Sequence, residues 1–222
     1  MEIVETAIFK FDELPDDAKE KAREWYREGA FDYNWWEFVY EDFTQICEIL
    51  GVEISTREQG YYPANSYTRK TSTVQQIFFS GFWSQGDGAC FEGTYAYKKG
   101  SVKKIKEYAP KDIDLHWIAE QLFNVQAKNF FSVTATIKHS GYYYHKFSTS
   151  INVYKVYGNQ YWVDEADADA ETADTITELM RDLMEWLYKT LEKEYDWMNS
   201  DEQVDDSILA NEYDFNECGE RW

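Results

Sequence analysis

The residues best suited to chemistry lie in one glycine-rich segment, FSGFWSQGDGACFEG, at positions 79–93. Strand-forming runs flank it, at residues 74–79 and 94–97, and this arrangement predicts a β-hairpin. Gly86-Asp87-Gly88 tolerates positive φ angles and therefore predicts the tight turn between the strands. The turn would display Trp83, Ser84, Gln85 and Asp87. Such a polar and aromatic set favours a binding site, and the alternative is a turn that locks the fold.

A second hairpin is predicted over residues 131–140 and 142–153, with Ser140-Gly141 at its turn. Its second arm begins with Tyr142-Tyr143-Tyr144-His145. Tyr143 and His145 are candidate binding residues, and tyrosine rings could stack on a nucleotide base. A pocket between this hairpin and the Trp83–Asp87 turn would suit a small ligand or a nucleotide. The alternative is a strip with one face in the core and the other at a protein interface.

A nucleophilic or metal site can also be drawn from these segments. Cys90 with His139 or His145 could form a nucleophile and base pair, oriented by Asp87 or Glu92. However, the sequence has no nucleophile elbow, and cysteine is commonly a buried core residue. The same histidines and carboxylates could hold zinc or manganese, or simply make ordinary hydrogen bonds. We expect no enzymatic activity, no metal and no cofactor.

Charge is distributed very unevenly along the chain. The formal net charge is −20, and residues 163–222 hold 20 Asp and Glu against 4 Lys and Arg. Such acidity disfavours direct binding to nucleic acid or to anionic membranes. Carboxylates along a helix could instead imitate DNA phosphates, or they could only solvate that helix. The candidate acidic partner surface comprises Asp182, Glu185, Glu192, Asp196, Asp205 and Asp206.

The spacing of the cysteines and the length of the apolar runs indicate in which cellular compartment the protein works. The three cysteines have no CxxC spacing, which argues against a disulfide framework and a cysteine-based zinc site. The N-terminal residues lack the features of a signal peptide, and no apolar run reaches the ~18 residues of a membrane span. We therefore expect the protein to be located in the cytoplasm of a bacterial host. A basic cluster could pair with the acidic region of the same chain or of a second copy. Homodimer formation is therefore one alternative. This cluster comprises Lys98, Lys99, Lys103, Lys104 and Lys106.

The hydrophobic periodicity predicts an α+β fold in one domain, residues 1–222, with an acidic C-terminal helical region over about 164–212. The antiparallel sheet would have about five to seven strands, with the helices mainly on one face. Helices are predicted at residues 14–29, 35–50, 98–108, 112–129, 176–198 and 204–211. Further strands are predicted at 3–11, 52–54, 154–163 and 213–216. Residues 57–72 are interpreted as a loop, and 164–173 as an acidic lead-in to a helix.

Several segments together resemble a family of proteins from phages and bacterial mobile elements, over nearly the whole length. The most specific match is Phe79–Gly88, and the others are Asp32–Trp36, Lys106–Lys111, Lys138–His145 and Asn211–Phe215. Members of that family often carry the label of an antitoxin from a toxin–antitoxin stability system. The resemblance implies phage or mobile-element biology, and it transfers no catalytic residue.

These observations lead to three functional hypotheses. The first is a protein that binds and inhibits a host defence or toxin protein, itself nucleic-acid-binding, through the acidic surface. The second is a small-ligand or nucleotide-binding protein that uses the Trp83–Asp87 turn and the Tyr142–His145 hairpin. The third is a hydrolase that uses Cys90 and His139.

Overall fold

The computed structural model describes residues 7–29, 34–62, 68–159 and 162–222. Within these ranges six α-helices and eleven β-strands form an α+β fold, which confirms the predicted class. The helices are α1 (Asp16–Gly29), α2 (Glu37–Leu50), α3 (Ser101–Tyr108), α4 (Ile113–Lys128), α5 (Ala170–Asn199) and α6 (Asp201–Ala210). The strands are β1 (Phe9–Lys10), β2 (Val52–Ile54), β3 (Thr56–Tyr61), β4 (Lys70–Gln75), β5 (Ile77–Phe79), β6 (Ala89–Phe91), β7 (Gly93–Ala96), β8 (Val133–His139), β9 (Thr149–Asn159), β10 (Trp162–Asp167) and β11 (Asp214–Phe215).

The largest sheet has five antiparallel strands in the order β10-β9-β8-β7-β2. Alternate residues of β8, among them Val133 and Ile137, are buried, as a one-sided strand requires. Gln126 of α4 is fully buried against this face. Its side chain donates to the Val133 carbonyl oxygen at 2.7 Å and accepts from the Val133 N–H at 3.2 Å. This two-way pairing satisfies the backbone of β8 where the strand begins.

The described residues divide into two compact units. The first unit contains the described residues up to Phe38 and the segment Leu191–Trp222. The second unit contains Val39–Thr190. The first unit has its own apolar core, to which α1, α6 and β11 contribute Ala22, Ile208 and Phe215. The largest sheet lies in the second unit. The expectation of a single domain stays a prediction.

Polar caps explain why two of the predicted helices begin where they do. The Asp112 carboxylate accepts from the Leu115 N–H at 2.9 Å at the start of α4, and its other oxygen accepts from the Trp186 indole at 2.8 Å. The Ser200 hydroxyl accepts from the Gln203 N–H at 3.3 Å at the start of α6. Each cap satisfies a backbone donor that the first turn of a helix leaves open.

Two predictions for backbone segments are wrong. Residues 57–72 do not form a loop throughout, because β3 and β4 pair as an antiparallel ribbon. Every residue of the ribbon except Gly60 is exposed, so no apolar alternation signalled a strand. The predicted first strand is shorter than expected. Only Phe9–Lys10 forms β1, a 3-10 turn follows at Phe11–Glu13, and residues 1–6 lie outside the described residues.

Both predicted hairpins exist with different pairing. Strand β5 pairs with β6, whereas β7 pairs with β2 and β8, so the strand after residue 93 does not return along the one before residue 80. Strands β8 and β9 pair with His139 opposite Thr149, so residues 140–148 connect them and Tyr142–Ser148 are not in a strand. Likewise, β10 occupies part of the predicted acidic lead-in, and α5 begins at Ala170 rather than at residue 176.

None of the helices in the described ranges combines the length and the apolar character needed to cross a membrane.

Candidate functional site

The glycine loop, residues 80–88, connects β5 to β6 and is organised by the Asp87 carboxylate. Asp87 Oδ2 accepts from the backbone N–H of Ser84 at 2.6 Å and of Trp83 at 3.0 Å. The Asp87 N–H in turn donates to the Ser84 carbonyl oxygen at 2.9 Å. The Asp87 side chain therefore holds the loop closed, and the Trp83 side chain is left 79 % exposed.

The tyrosine loop, residues 140–148, connects β8 to β9 and is organised by His145. His145 Nδ1 accepts from the Phe147 N–H at 3.0 Å. Because Nδ1 is an acceptor there, a neutral His145 carries its proton on Nε2. The Ser148 hydroxyl adds a hydrogen bond to the His145 carbonyl oxygen at 2.7 Å and accepts from the His145 N–H at 3.0 Å. The loop is thus held by local hydrogen bonds that leave Nε2 as a donor.

The two loops touch through the glycines of the first. A β-carbon on Gly86 would collide with the Tyr143 ring, and one on Gly88 would lie 2.5 Å from His145 Cβ and 2.9 Å from the Tyr144 carbonyl oxygen. The predicted reason for these glycines is wrong, because neither has a positive φ, whereas Gly81 has φ 117°. Gly86 and Gly88 are needed for close approach between loops, not for a tight turn.

A cavity of about 280 Å³ lies where the two loops meet α5. Gln85 and Asp87 line it from the glycine loop, and His145 lines it from the tyrosine loop. Sequence reasoning brought these three side chains together, but it missed the other contributors. Those residues are Lys146, Phe147, Met184 and Tyr188, together with Glu185, which was assigned to the acidic surface. Tyr188 lies off the apolar stripe that predicted α5, so only its aromatic character could have signalled it.

Both signs of charge face this cavity. Lys146 Nζ lies 3.3 Å from a Glu185 carboxylate oxygen, and Lys146 and Arg181 each lie over the Phe147 ring, at 5.4 and 5.1 Å from its centre. The Asp87 carboxylate and the His145 ring face the same space. The cavity therefore offers an acceptor side, a cationic side and an aromatic wall.

Exposed aromatic rings surround the two loops. Trp83 lies on the glycine loop, and Tyr142, Tyr143 and Phe147 lie on the tyrosine loop; all four are exposed. Rings of this kind supply contact area at low entropic cost in protein interfaces. The loops can therefore contact a macromolecule as well as a small ligand.

The surroundings of Cys90 and His139 do not favour their use as a nucleophile and a base. Cys90 is fully buried, and burial raises the pKa of its thiol to about 12. His139 Nε2 lies 3.0 Å from the Tyr143 carbonyl oxygen, and its ring packs against Phe78 and Tyr144. A thiol must be ionised to act as a nucleophile, so this environment opposes that use of Cys90. The described residues contain no group of three or more His, Cys, Asp or Glu placed to hold a metal.

The predicted acidic residues fall into two groups. Three are engaged or partly buried: Asp205 pairs with Arg23 at 2.6 and 2.7 Å, Glu185 pairs with Lys146, and burial raises the pKa of Asp182. The other three, Glu192, Asp196 and Asp206, are exposed. The exposed three belong to the first unit, whereas Asp182 and Glu185 belong to the second. The acidic surface is thus narrower than the sequence predicted.

Comparison with known proteins adds one match. The model of a family described as a domain of unknown function, DUF8835, matches residues 35–201. No curated protein and no solved structure matches the chain. The matched range includes the glycine loop, the tyrosine loop and the cavity.

The first prediction concerns the two glycines. Gly88→Ala should lower the free energy of unfolding by about 1–3 kcal/mol, because its β-carbon meets backbone atoms that cannot move independently. Gly86→Ala should cost less, because the Tyr143 ring is exposed and can shift. Urea unfolding followed by tryptophan fluorescence measures both. Tyr143→Ala should relieve Gly86→Ala but not Gly88→Ala, and Gly29→Ala, where the β-carbon meets nothing within 4 Å, is the control. Equal losses at all three glycines would contradict this packing.

The second prediction concerns thiol reactivity. Cys218 is exposed, whereas Cys47 and Cys90 are buried with raised thiol pKa values. A colourimetric thiol reagent at pH 8 should therefore modify Cys218 quickly, and the other two only after unfolding in denaturant. Cys218→Ser should abolish the fast phase. Fast modification of Cys90 in the folded Cys218→Ser variant would show an activated thiol and revive the hydrolase hypothesis.

Proposed function

The chain belongs to the DUF8835 family of domains of unknown function, and we propose that it is a non-enzymatic binding protein that occludes a host defence or toxin protein. The contact surface is the exposed acidic side of α5 and α6, and the target is itself a nucleic-acid-binding protein. The protein is encoded by a phage or mobile element and works in the host cytoplasm. It binds neither nucleic acid nor a membrane directly.

One observation supports this proposal more than any other. Glu192, Asp196 and Asp206 present exposed carboxylates in a segment, residues 191–222, that holds 11 acids and 2 bases. Proteins that bind DNA neutralise its phosphates with lysine and arginine. A surface of exposed carboxylates offers such a protein the same kind of partner. Glu192 and Asp196 lie one turn apart on α5, so both face the same side of the helix.

The third prediction tests this surface. The triple variant Glu192→Lys, Asp196→Lys, Asp206→Lys should lose its partner in a pull-down from a bacterial lysate that is read by mass spectrometry. The captured protein should be displaced from the native chain by duplex DNA, and capture should weaken with salt because the contacts are ionic. Circular dichroism should show an unchanged fold, since all three side chains are exposed.

A matched control separates a local contact from net charge. The variant Glu41→Lys, Glu53→Lys, Glu107→Lys changes the charge equally at exposed positions of the second unit, and it should keep the partner. Retention of the partner by the first triple variant would contradict the proposal. So would capture that duplex DNA leaves unchanged.

The cavity between the two loops favours a second candidate, a small-ligand-binding protein. Its volume of about 280 Å³ suits a molecule of the size of an amino acid or a small nucleotide fragment. The cationic side, with Lys146 and the His145 Nε2–H, could hold an anionic group. Asp87 and Glu185 could accept from an ammonium or an amine. The Phe147 and Tyr188 rings could pack against an apolar part.

The fourth prediction tests that cavity. Isothermal titration with a panel of nucleotides and free amino acids should find a ligand, and Gln85→Ala should weaken its binding about tenfold through one lost hydrogen bond. Glu185→Gln should discriminate among the panel members by removing a negative charge. Gln121→Ala lies outside the cavity and is the control. A panel without any binder, or equal affinity in all variants, would contradict this candidate.

A further inference from the structure

The β3–β4 ribbon presents two faces of different charge. Residues directly opposite each other in an antiparallel pair share a face, and the faces alternate along each strand. The register pairs Arg57 with Val74 and Tyr61 with Lys70. These two pairs are four positions apart along each strand, so they lie on the same face. One side, here called the cationic face, therefore carries Arg57, Gln59, Tyr61, Lys70, Ser72 and Val74.

The cationic face has no carboxylate of its own. The ribbon's single acid, Glu58, pairs with Thr73 and so lies on the opposite face. Arg69 also belongs there, because its side chain lies over Gly60. Among the described residues, neither Arg57 nor Lys70 forms an ion pair. Arg57 and Lys70 are therefore two exposed cations on one face of the ribbon, in a chain with a net charge of −20.

The ribbon also has little to hold it in isolation. A two-stranded pair is marginally stable in water unless it packs against something. Almost every side chain of this ribbon is exposed on both faces, and the hydrogen bond from Thr44 Oγ1 to Gln75 Oε1, at 3.1 Å, lies at its base. A contact that covers one face would stabilise the ribbon.

We propose that the cationic face docks on the acidic side of α5 in a second copy of this chain, where it competes with the host protein of the proposed function for Glu192 and Asp196. Charge complementarity favours this occupant, because residues 191–222 hold 11 acids and 2 bases and Glu192 and Asp196 are exposed on one side of α5. The same net charge that repels nucleic acid leaves this local attraction intact, since opposite charges in contact outweigh distant ones that salt screens. Each copy offers both surfaces, so two copies can exchange them reciprocally.

The fifth prediction is a salt-dependent dimer. Sedimentation velocity should show a dimer at about 50 mM salt and a monomer at about 500 mM, because the contacts are ionic. Arg57→Glu with Lys70→Glu should give a monomer at both. The control variant Lys99→Glu, Lys104→Glu has the same net charge and changes exposed lysines outside the ribbon, so it should remain a dimer at low salt.

A charge-exchange experiment identifies the partner surface. The ribbon variant Arg57→Glu, Lys70→Glu and the helix variant Glu192→Lys, Asp196→Lys should each be monomeric alone. Mixed together they should form a heterodimer, because each pair of facing surfaces is again of opposite charge. Circular dichroism confirms folding, and the milder Arg57→Gln, Lys70→Gln variant should weaken the dimer if the reversed one does not fold.

Three results would overturn this proposal: a native chain that is monomeric at low salt, a control variant that dissociates like the ribbon variant, or a mixture that stays monomeric. Duplex DNA is another polyanion that the cationic face could bind, and fluorescence anisotropy with labelled duplex DNA tests this alternative. Binding of DNA that the ribbon variant loses would assign the cationic face to nucleic acid instead. The ribbon variant keeps Glu192 and Asp196, so it should still capture the host partner, and failure of self-association is distinct from failure of the proposed function.

Discussion

The candidate site depends on two positions that lack a β-carbon. Gly86 lets the backbone of the glycine loop lie against the Tyr143 ring, and Gly88 lets it lie against the backbone of the tyrosine loop at His145. Because two separate connections meet there, the cavity has walls from both, and α5 closes it with Met184, Glu185 and Tyr188. A methyl group at either position would separate the loops or displace their side chains. Among the exposed aromatic rings, Tyr143 takes part in this contact directly.

Each loop also contains local hydrogen bonds of its own, in addition to the contact between the loops. Asp87 closes the glycine loop by accepting two backbone N–H groups, and His145 with Ser148 closes the tyrosine loop in a similar manner. These polar side chains therefore have structural tasks as well as a place beside the cavity. The acidic side chains elsewhere in the molecule also differ in role, because some form ion pairs and others stay exposed. Asp205 is committed to Arg23, and the Lys155 ammonium holds the pKa of Asp169 well below its usual range, whereas Glu192, Asp196 and Asp206 remain exposed.

Sequence reasoning predicted the helices well and the connections poorly, for a physical reason. Helices α2 and α4 carry apolar residues at helical spacing, with a glycine after the first and an aspartate cap before the second, and both signals are local. The β3–β4 ribbon buries neither face, so it leaves no alternation to detect. The glycine loop was expected to turn tightly because Gly-Asp-Gly suits positive φ. What requires those glycines is a contact with residues far along the chain, and composition alone does not reveal it.

The fit between the loops also has an evolutionary consequence. A larger residue at position 86 is tolerable only where position 143 has become small, so the two positions should covary among homologous sequences. Position 88 meets the His145 β-carbon and, beside it, backbone atoms of Tyr144 and His145 that no substitution removes. It therefore has no single compensating position, and it should stay glycine in any homologue that retains the tyrosine loop. An alignment of homologues would thus distinguish the two glycines, because position 86 should covary with position 143 and position 88 should be invariant.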